Sequence, residues 1–318
     1  MRSATLVCIA SLAAAPLAHA LEPPPQFWFH RYGTTRVGQM AETPDGMMAV
    51  PSEDDHVVNL FTEAGDYVST FGGLGTDPGQ FFKPTGVAID AGGNLYVCDQ
   101  SNHRVQKFSP AFTPLLAMGT PGHGPGQLEY PANCALSPDG SRLYVTELGN
   151  DRVSVFTTDG VYVGTFGGPG SPAGQLSDPY GILVEPDAGD VFVANQSHHR
   201  IERFTAAGSW MYSLGQEGSG IDDFEYVVGL GMDADGNLWA ADQGNNRIKK
   251  LTQAGTVLTV WGELGPAEYQ FYNPWSVFIT RAGNIWIGDT YNNRVEVYRY
   301  ASTAAARASW GAIKTRYR

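Results

Sequence analysis

Cationic side chains are scarce in this chain: Lys and Arg number 20 among 318 residues against 32 Asp and Glu, leaving a formal charge of −12. Phosphate binding needs a concentration of Lys and Arg that releases counterions, so the balance argues against a nucleic-acid partner and against an anionic membrane surface. Cysteine is almost absent. The three present, Cys8, Cys98 and Cys134, show no CxxC spacing, which removes a zinc knuckle and a disulfide-dense scaffold. No serine elbow, phosphate loop or HExxH string occurs. Gly72-Gly73-Leu74-Gly75 follows a strand and leads into no helix, so it reads as a turn. What the chain has in quantity is Gly (39) and Pro (20) beside 42% hydrophobic residues, a composition that suits short strands and tight turns and makes an all-α fold unlike it.

The N-terminus carries Arg2, an apolar run from Leu6 to Leu17 and then Ala18-His19-Ala20, a small-x-small pattern that predicts an export signal over residues 1–20. The run is 12 residues, well short of the roughly 20 that span a bilayer. No later stretch is apolar enough to span, so the expected location is periplasmic or extracellular. Cys8 would leave with the signal. Cys98 and Cys134 could then pair as a disulfide or pack as two buried thiols.

Internal repetition decides the fold. GNLYVCDQSNHRVQKF (93–108) recurs as SRLYVTELGNDRVSVF (141–156), GDVFVANQSHHRIERF (189–204), GNLWAADQGNNRIKKL (236–251) and GNIWIGDTYNNRVEVY (283–298), with a degraded copy, GMMAVPSEDDHVVNLF, at 46–61. Arg104, Arg152, Arg200, Arg247 and Arg294 are spaced 48, 48, 47 and 47. Each copy reads as four short strands, illustrated by 86–90, 94–99, 104–108 and the slot filled by 67–72 or 162–167. Six such units predict an all-β, six-bladed β-propeller over 21–300, four antiparallel strands to a blade. The last copy ends after its third strand. Phe27 to Gly33 matches the missing fourth, so the N-terminal strand is expected to close the ring, with Ala308 to Gly311 as the rival segment. Residues 301–318 form a basic, Ala-rich tail that a helix, a frayed end or an anchoring handle would equally explain.

The D-x-x-N-x-R-[VI] core and the linkers GQFFKP (79–84), GQLEYP (126–131) and GQLSDP (174–179) resemble the NHL repeat, over roughly residues 26–300. The resemblance implies a six-bladed propeller. It leaves function open, because proteins built on this repeat include peptide-amidating lyases, RNA-binding domains of tripartite-motif and Brat-like proteins, and many secreted bacterial proteins. In the lyases zinc-binding histidines follow the linker proline. Here that slot holds Thr85, Ala132, Tyr180, Val228 and Trp275, with Gly38 by register, so no such zinc ring is available.

A residue repeated at one slot in most blades reads as scaffold. Asp99, Asp242 and Asp289 end second strands, and Arg104, Arg152, Arg200, Arg247 and Arg294 open third strands, so a carboxylate–guanidinium pair across the turn is expected. Asn102, Asn150, Asn245 and Asn292 are expected to take the left-handed turn position. Binding is sought where blades differ, at the channel mouth on the face carrying the fourth-to-first linkers. Tyr180 and Trp275 would be aromatic platforms there, with Asn133, Ser276, Glu147, Asn195 and Ser52 supplying hydrogen bonds, or the two aromatics would plug the channel. The turn histidines His56, His103, His198 and His199 read as solvated, and Glu53-Asp54-Asp55, with oxygen ligands for Ca²⁺ or another divalent ion but without the spacing of a calcium loop, reads as a solvated charge run. The resulting expectation is an exported, monomeric binding or interaction module for a protein, peptide or glycan, with no catalytic residue assigned and no cofactor required. The alternative is a metal-dependent propeller lyase or hydrolase.

Overall fold

The structure, a computed structural model, describes residue 22 and residues 24–32 and 36–299; the expected export signal, the C-terminal tail and the rival closing segment lie outside the described residues. Six four-stranded antiparallel sheets stand around an axis, each ordered from its innermost strand outward. Blade 2 is representative, with strands Pro84–Ile89, Leu95–Asp99, Arg104–Phe108 and Pro114–Met118, close to the boundaries expected from the repeat. No helix among the described residues is long and apolar enough to cross a membrane.

Second strands such as Leu95–Asp99 and Val191–Asn195 are buried along their whole length, because both faces of each sheet pack against neighbouring blades. Outer strands such as Tyr162–Gly167 alternate instead between half-buried and exposed positions. The linkers supply wedges to this packing: Phe81, Leu128, Leu176, Phe224 and Phe271 are all essentially inaccessible. Gly72 ends the blade 1 outer strand at φ +104°, where a Cβ would lie 2.4 Å from the Phe81 ring, so only glycine admits the wedge.

Ring closure follows the expected scheme. Gln26–Tyr32 pairs antiparallel with Arg294–Arg299 and becomes the outermost strand of blade 6, in register from Gln26↔Arg299 to Tyr32↔Arg294. Phe27 packs edge-on against Tyr298 at 5.6 Å, and its N–H donates to the Tyr269 hydroxyl at 3.0 Å. First and last parts of the chain therefore share one sheet, which leaves no open blade.

The Asp/Arg slot forms a clamp. Arg104 Nε donates to Asp99 Oδ2 at 2.7 Å, while its other nitrogens donate to the linker carbonyls of Thr76, Asp77 and Gln80 at 2.8, 3.1 and 3.0 Å. Asp99 Oδ1 accepts the Phe82 N–H at 2.7 Å. The arrangement repeats with Arg247 on Asp242 and Arg294 on Asp289. Burial pushes the carboxyls of Asp99 and Asp289 upward, against the pull of their hydrogen bonds and arginines. Asn102 is not the left-handed residue. That conformation falls one position later, at His103 (φ 55°), Asp151, His199, Asn246 and Asn293. The asparagine stays right-handed, and its Nδ2 bridges the Asp99 carboxylate and the Gly75 carbonyl.

Three outcomes are expected. Removing residues 22–32 exposes the blade 6 edge and should lower Tm by about 10 °C or more, with new self-association by light scattering. Arg152→Met strands the buried Glu147 carboxylate and should cost about 3–5 kcal/mol in urea unfolding, with Arg152→Lys recovering little because a lysine cannot reach the acid and the linker carbonyls together. Glu296 sits buried beside Arg294 and Tyr298, and desolvation raises its pKa to about 8 from an ordinary 4.5. The folded state then holds a proton that the unfolded state has released, so stability falls as pH rises from about 4.5 to 8. Glu296→Gln should flatten this decline in unfolding curves taken across that range.

Candidate functional site on the linker face

The channel mouth on the linker face is closed. Tyr180 is 3% exposed, meets Trp275 edge to face at 5.2 Å and packs with Ala132 and Val228, while Trp275 is half-buried. Desolvation pushes the Tyr180 hydroxyl far above its ordinary pKa. Of the two roles expected for these aromatics, the geometry supports the plug.

Beneath them lies a slot occupied by glycine in three blades and by Gln39, Asn133 and Ser276 in the others. A Cβ on Gly86 would fall 2.5 Å from Asn133 Oδ1, and one on Gly229 would fall 2.7 Å from Ser276 Cα. Innermost strands of adjacent blades thus touch nearly backbone to backbone, leaving Asn133 and Ser276 inaccessible. Gln39 Nε2 donates across the axis to the carbonyls of Leu230 at 3.2 Å and Val277 at 3.1 Å. Gln39 Oε1, Asn133 Nδ2 and Ser276 Oγ are buried with no hydrogen-bond partner.

Glu147 and Asn195 are not brought to this mouth. Both are inaccessible and occupy the clamp slot of their own blades. Glu147 binds Arg152 Nε at 2.7 Å, accepts from Ser154 and Asn150, and takes the Glu129 N–H at 3.0 Å. Asn195 takes the Ser177 N–H at 2.9 Å and donates to the Gln175 carbonyl at 2.8 Å. Its missing charge is supplied two residues beyond the arginine, where Glu202 receives Arg200 Nε. Ser52 donates to Asp55 within its own turn.

Three of the four turn histidines, His56, His103 and His199, bind the neighbouring blade, whereas His198 Nδ1 is buried without a hydrogen-bond partner. The left-handed residue of one blade accepts a backbone N–H from the entrance of the next: Lys83 to His56 Nδ1 (3.2 Å), Tyr130 to His103 Nδ1 (3.2 Å) and Tyr226 to His199 Nδ1 (3.1 Å). Asp151 and Asn246 do the same through side-chain oxygen, from Asp178 and Asn273 at 2.8 and 2.9 Å. A backbone amide only donates, so each of these imidazoles carries its proton on Nε2. Glu53, expected within an acidic run, is drawn down towards Arg36 at 3.7 Å, yet burial raises its pKa. Among the described residues no three His, Cys, Asp or Glu gather in a way that could hold a metal ion.

What the linker face does expose is a set of aromatics just before the innermost strands. Phe82, Tyr130, Tyr226 and Tyr272 are 40, 44, 43 and 45% exposed, in blades 2, 3, 5 and 6. Each leans on a turn residue: Phe82 on His56, Tyr130 on His103, Tyr226 on His199 and Tyr272 on Tyr291, with centroids 5.4, 4.5, 4.7 and 5.0 Å apart. They stand one or two residues before the strand-opening Pro84, Pro131, Val227 and Pro274. Attention to the residue after that position passes over them, although the linkers FFKP and EYP display two of them openly. Around them the linkers and second-to-third turns carry thirteen Asp and Glu against two basic residues outside the clamp, Lys83 and Arg36, the latter drawn to Glu53 and Asp54. The five clamp arginines of this face are turned inward onto acids and carbonyls, so they offset little of the field that a ligand meets.

A model of the NHL repeat matches residues 81–108 and 271–298, which run from the linker wedge to the third strand in blades 2 and 6. Protein brain tumor of Drosophila melanogaster is 37% identical over 70 residues, or 22% of this chain and 7% of that protein, so the chain spans only a small part of that relative. Among solved structures, a streptogramin B lyase superposes with a TM-score of 0.62 at 14% identity, covering 85% of this chain and 96% of its own. An auxiliary nutrient binding protein from Bacteroides ovatus does so with a TM-score of 0.65 at 16% identity, covering 84% and 69%. At such identities the likeness is one of fold. The matched segments lie on two blades, the other four repeat the same four-stranded plan, and the chain is a six-bladed β-propeller with NHL-repeat matches in blades 2 and 6.

Proposed function

We propose that this propeller is an exported, monomeric binding module whose linker face receives a basic segment of a peptide or protein. The observation that carries the reading is the ring of half-exposed aromatics set among carboxylates. Lys and Arg side chains are drawn to the negative faces of Tyr and Phe rings and to carboxylates alike, and a ring held against a histidine or a second tyrosine gives up little entropy on binding. The same field repels polyanions, which disfavours nucleic acid. The fold alone supports either class of activity, since its neighbours include a lyase and a nutrient-binding protein. The binding class is preferred because the exposed groups on this face are anchors and charges, whereas the buried polar groups of the clamp are committed to structure.

A random peptide library panned on the mature chain should yield Lys- and Arg-rich sequences whose affinity falls as salt is raised. Tyr130→Ala combined with Tyr226→Ala should weaken the selected peptide by about tenfold or more, at roughly 1 kcal/mol or somewhat less for each ring, with Tm little changed. Trp275→Ala, in the plug, should leave peptide affinity within about twofold, on the scale of an energetically neutral neighbour. Selection of acidic peptides, capture of neutral glycans on an array in place of peptides, or indifference to the double alanine would refute the assignment.

A further inference from the structure

One slot of the repeat encircles the plug. Two residues before each plug position stand Arg36, Lys83, Tyr130, Asp178, Tyr226 and Asn273, in blades 1 to 6, and all six are left-handed, with φ between 44° and 61°. In blades 2 to 6 the N–H of this residue is the one bonded by the preceding blade's turn, which fixes the backbone there. Asn and Asp tolerate such a conformation and glycine takes it freely, but Arg, Lys and Tyr do not favour it. Side chains kept where glycine would be easier point to a use for them. Among blades 2 to 6, only blade 4 has no aromatic at this slot or the residue before it, and its Asp178 is exposed, with the half-exposed Tyr130 and Tyr226 on the blades to either side. Asp178 Oδ2 accepts the Ser197 hydroxyl at 2.7 Å, and among the described residues no cation pairs with it. Across the plug, Arg36 is already drawn to Glu53 and Asp54, 3.7 and 3.8 Å away, whereas the Lys83 ammonium forms no ion pair or hydrogen bond among the described residues.

We infer that the peptide lies across the plug in one direction, with a lysine or arginine seated on Asp178 between Tyr130 and Tyr226 and a carboxylate received by Lys83. This rests on the reading of the linker face as a receptor for basic segments, and adds where the cation goes and what lies at the other end. Thirteen acids spread around the face supply attraction without position. A carboxylate with a tyrosine on either side supplies both, since charge and ring act on the same ammonium or guanidinium. At blade 2 the preference reverses. An unpaired cation there repels a wholly basic segment and rewards one that brings an acid, so Lys83 selects against simple polycations. A free C-terminus and an Asp or Glu side chain offer that acid in the same chemical form.

A synthetic heptapeptide library with free C-termini, selected on the mature chain, should return sequences with Lys or Arg toward one end and Asp, Glu or the C-terminal carboxylate toward the other. The consensus heptapeptide is then made in three further forms: with its basic residue as Ala, with its C-terminus amidated, and with any acidic side chain as the amide. The last two forms tell a C-terminal from a side-chain carboxylate. Asp178→Asn, which keeps an acceptor for Ser197, should weaken the intact peptide about tenfold in calorimetric titration and the Ala form little. Lys83→Met should weaken the intact peptide about threefold and erase the difference between acid and amide. Glu217→Gln removes an exposed acid of the same face outside the slot and should change affinity by less than about twofold. All three variants should keep their Tm. Basic sequences without a matched carboxylate, equal losses for Asp178→Asn and Glu217→Gln, or an acid preference that survives Lys83→Met would overturn this inference and leave the linker-face reading standing. A library that returns no basic sequences would overturn both.

Discussion

The ring depends on one buried ion pair used five times. A guanidinium at the start of a third strand holds the acid across its own turn with Nε and gathers the carbonyls of the preceding linker with its remaining nitrogens. A buried pair of this kind adds little net stability over an apolar substitute, but it fixes geometry, because any other placement of the linker leaves charge unpaired. Blade 4 shows that the requirement is for charge rather than for a position: with Asn195 in the acid slot, Glu202 supplies the carboxylate to Arg200. Blade 1 shows what the pair is for. It has Val57 in place of the arginine, and only residues 33–36 separate its first contacts from the preceding strand, where other blades are entered through linkers such as 73–83. With no long linker to hold, the clamp is dispensable.

A second, weaker device runs between blades. In blades 1 to 5 the residue that must be left-handed to turn the chain after the second strand also presents an acceptor to the next blade's entrance, and His, Asp and Asn serve equally. Asn and Asp are the residues that best tolerate this backbone region, and His is enriched there as well. One conformational constraint and one hydrogen-bonding constraint therefore select the same small set of side chains. That is why a histidine pair resembling a metal site in the linear sequence is, in blade 4, a turn residue with its neighbour.

Most of the architecture was legible because it is periodic. The arginine spacing gave the blade count, and the missing last strand pointed to Phe27 and its neighbours, which do pair with the final strand. The clamp was legible for the same reason, down to the partners of Arg104, Arg247 and Arg294. What sequence reasoning could not resolve was radial distance. Tyr180 and Trp275 occupy the same slot as Gly38, Thr85 and Ala132, and whether such residues line an opening or fill it depends on their summed volume at one radius. Glu147 and Asn195 looked like departures from the repeat when they were the repeat's own slot filled by other residues. The exposed tyrosines escaped notice because their offset from the strand start varies between one and two residues, which breaks the alignment that exposes conserved roles.

The plug also settles how the two ends of the channel relate. The glycine slot brings neighbouring innermost strands into near backbone contact, and Gln39 ties blade 1 to blades 5 and 6 across the axis. Atoms packed this closely, and bonded across the axis, have few alternative arrangements through which one end could sense the other. A propeller closed by its own first strand is stiff in the same sense, since opening any blade must break the shared sheet. The molecule is therefore best understood as a rigid ring offering two chemically unlike surfaces. One is acidic and aromatic, set by linkers that vary freely because the clamp holds their backbone. The other mixes polar and apolar groups and is set by strand ends whose spacing the whole ring enforces.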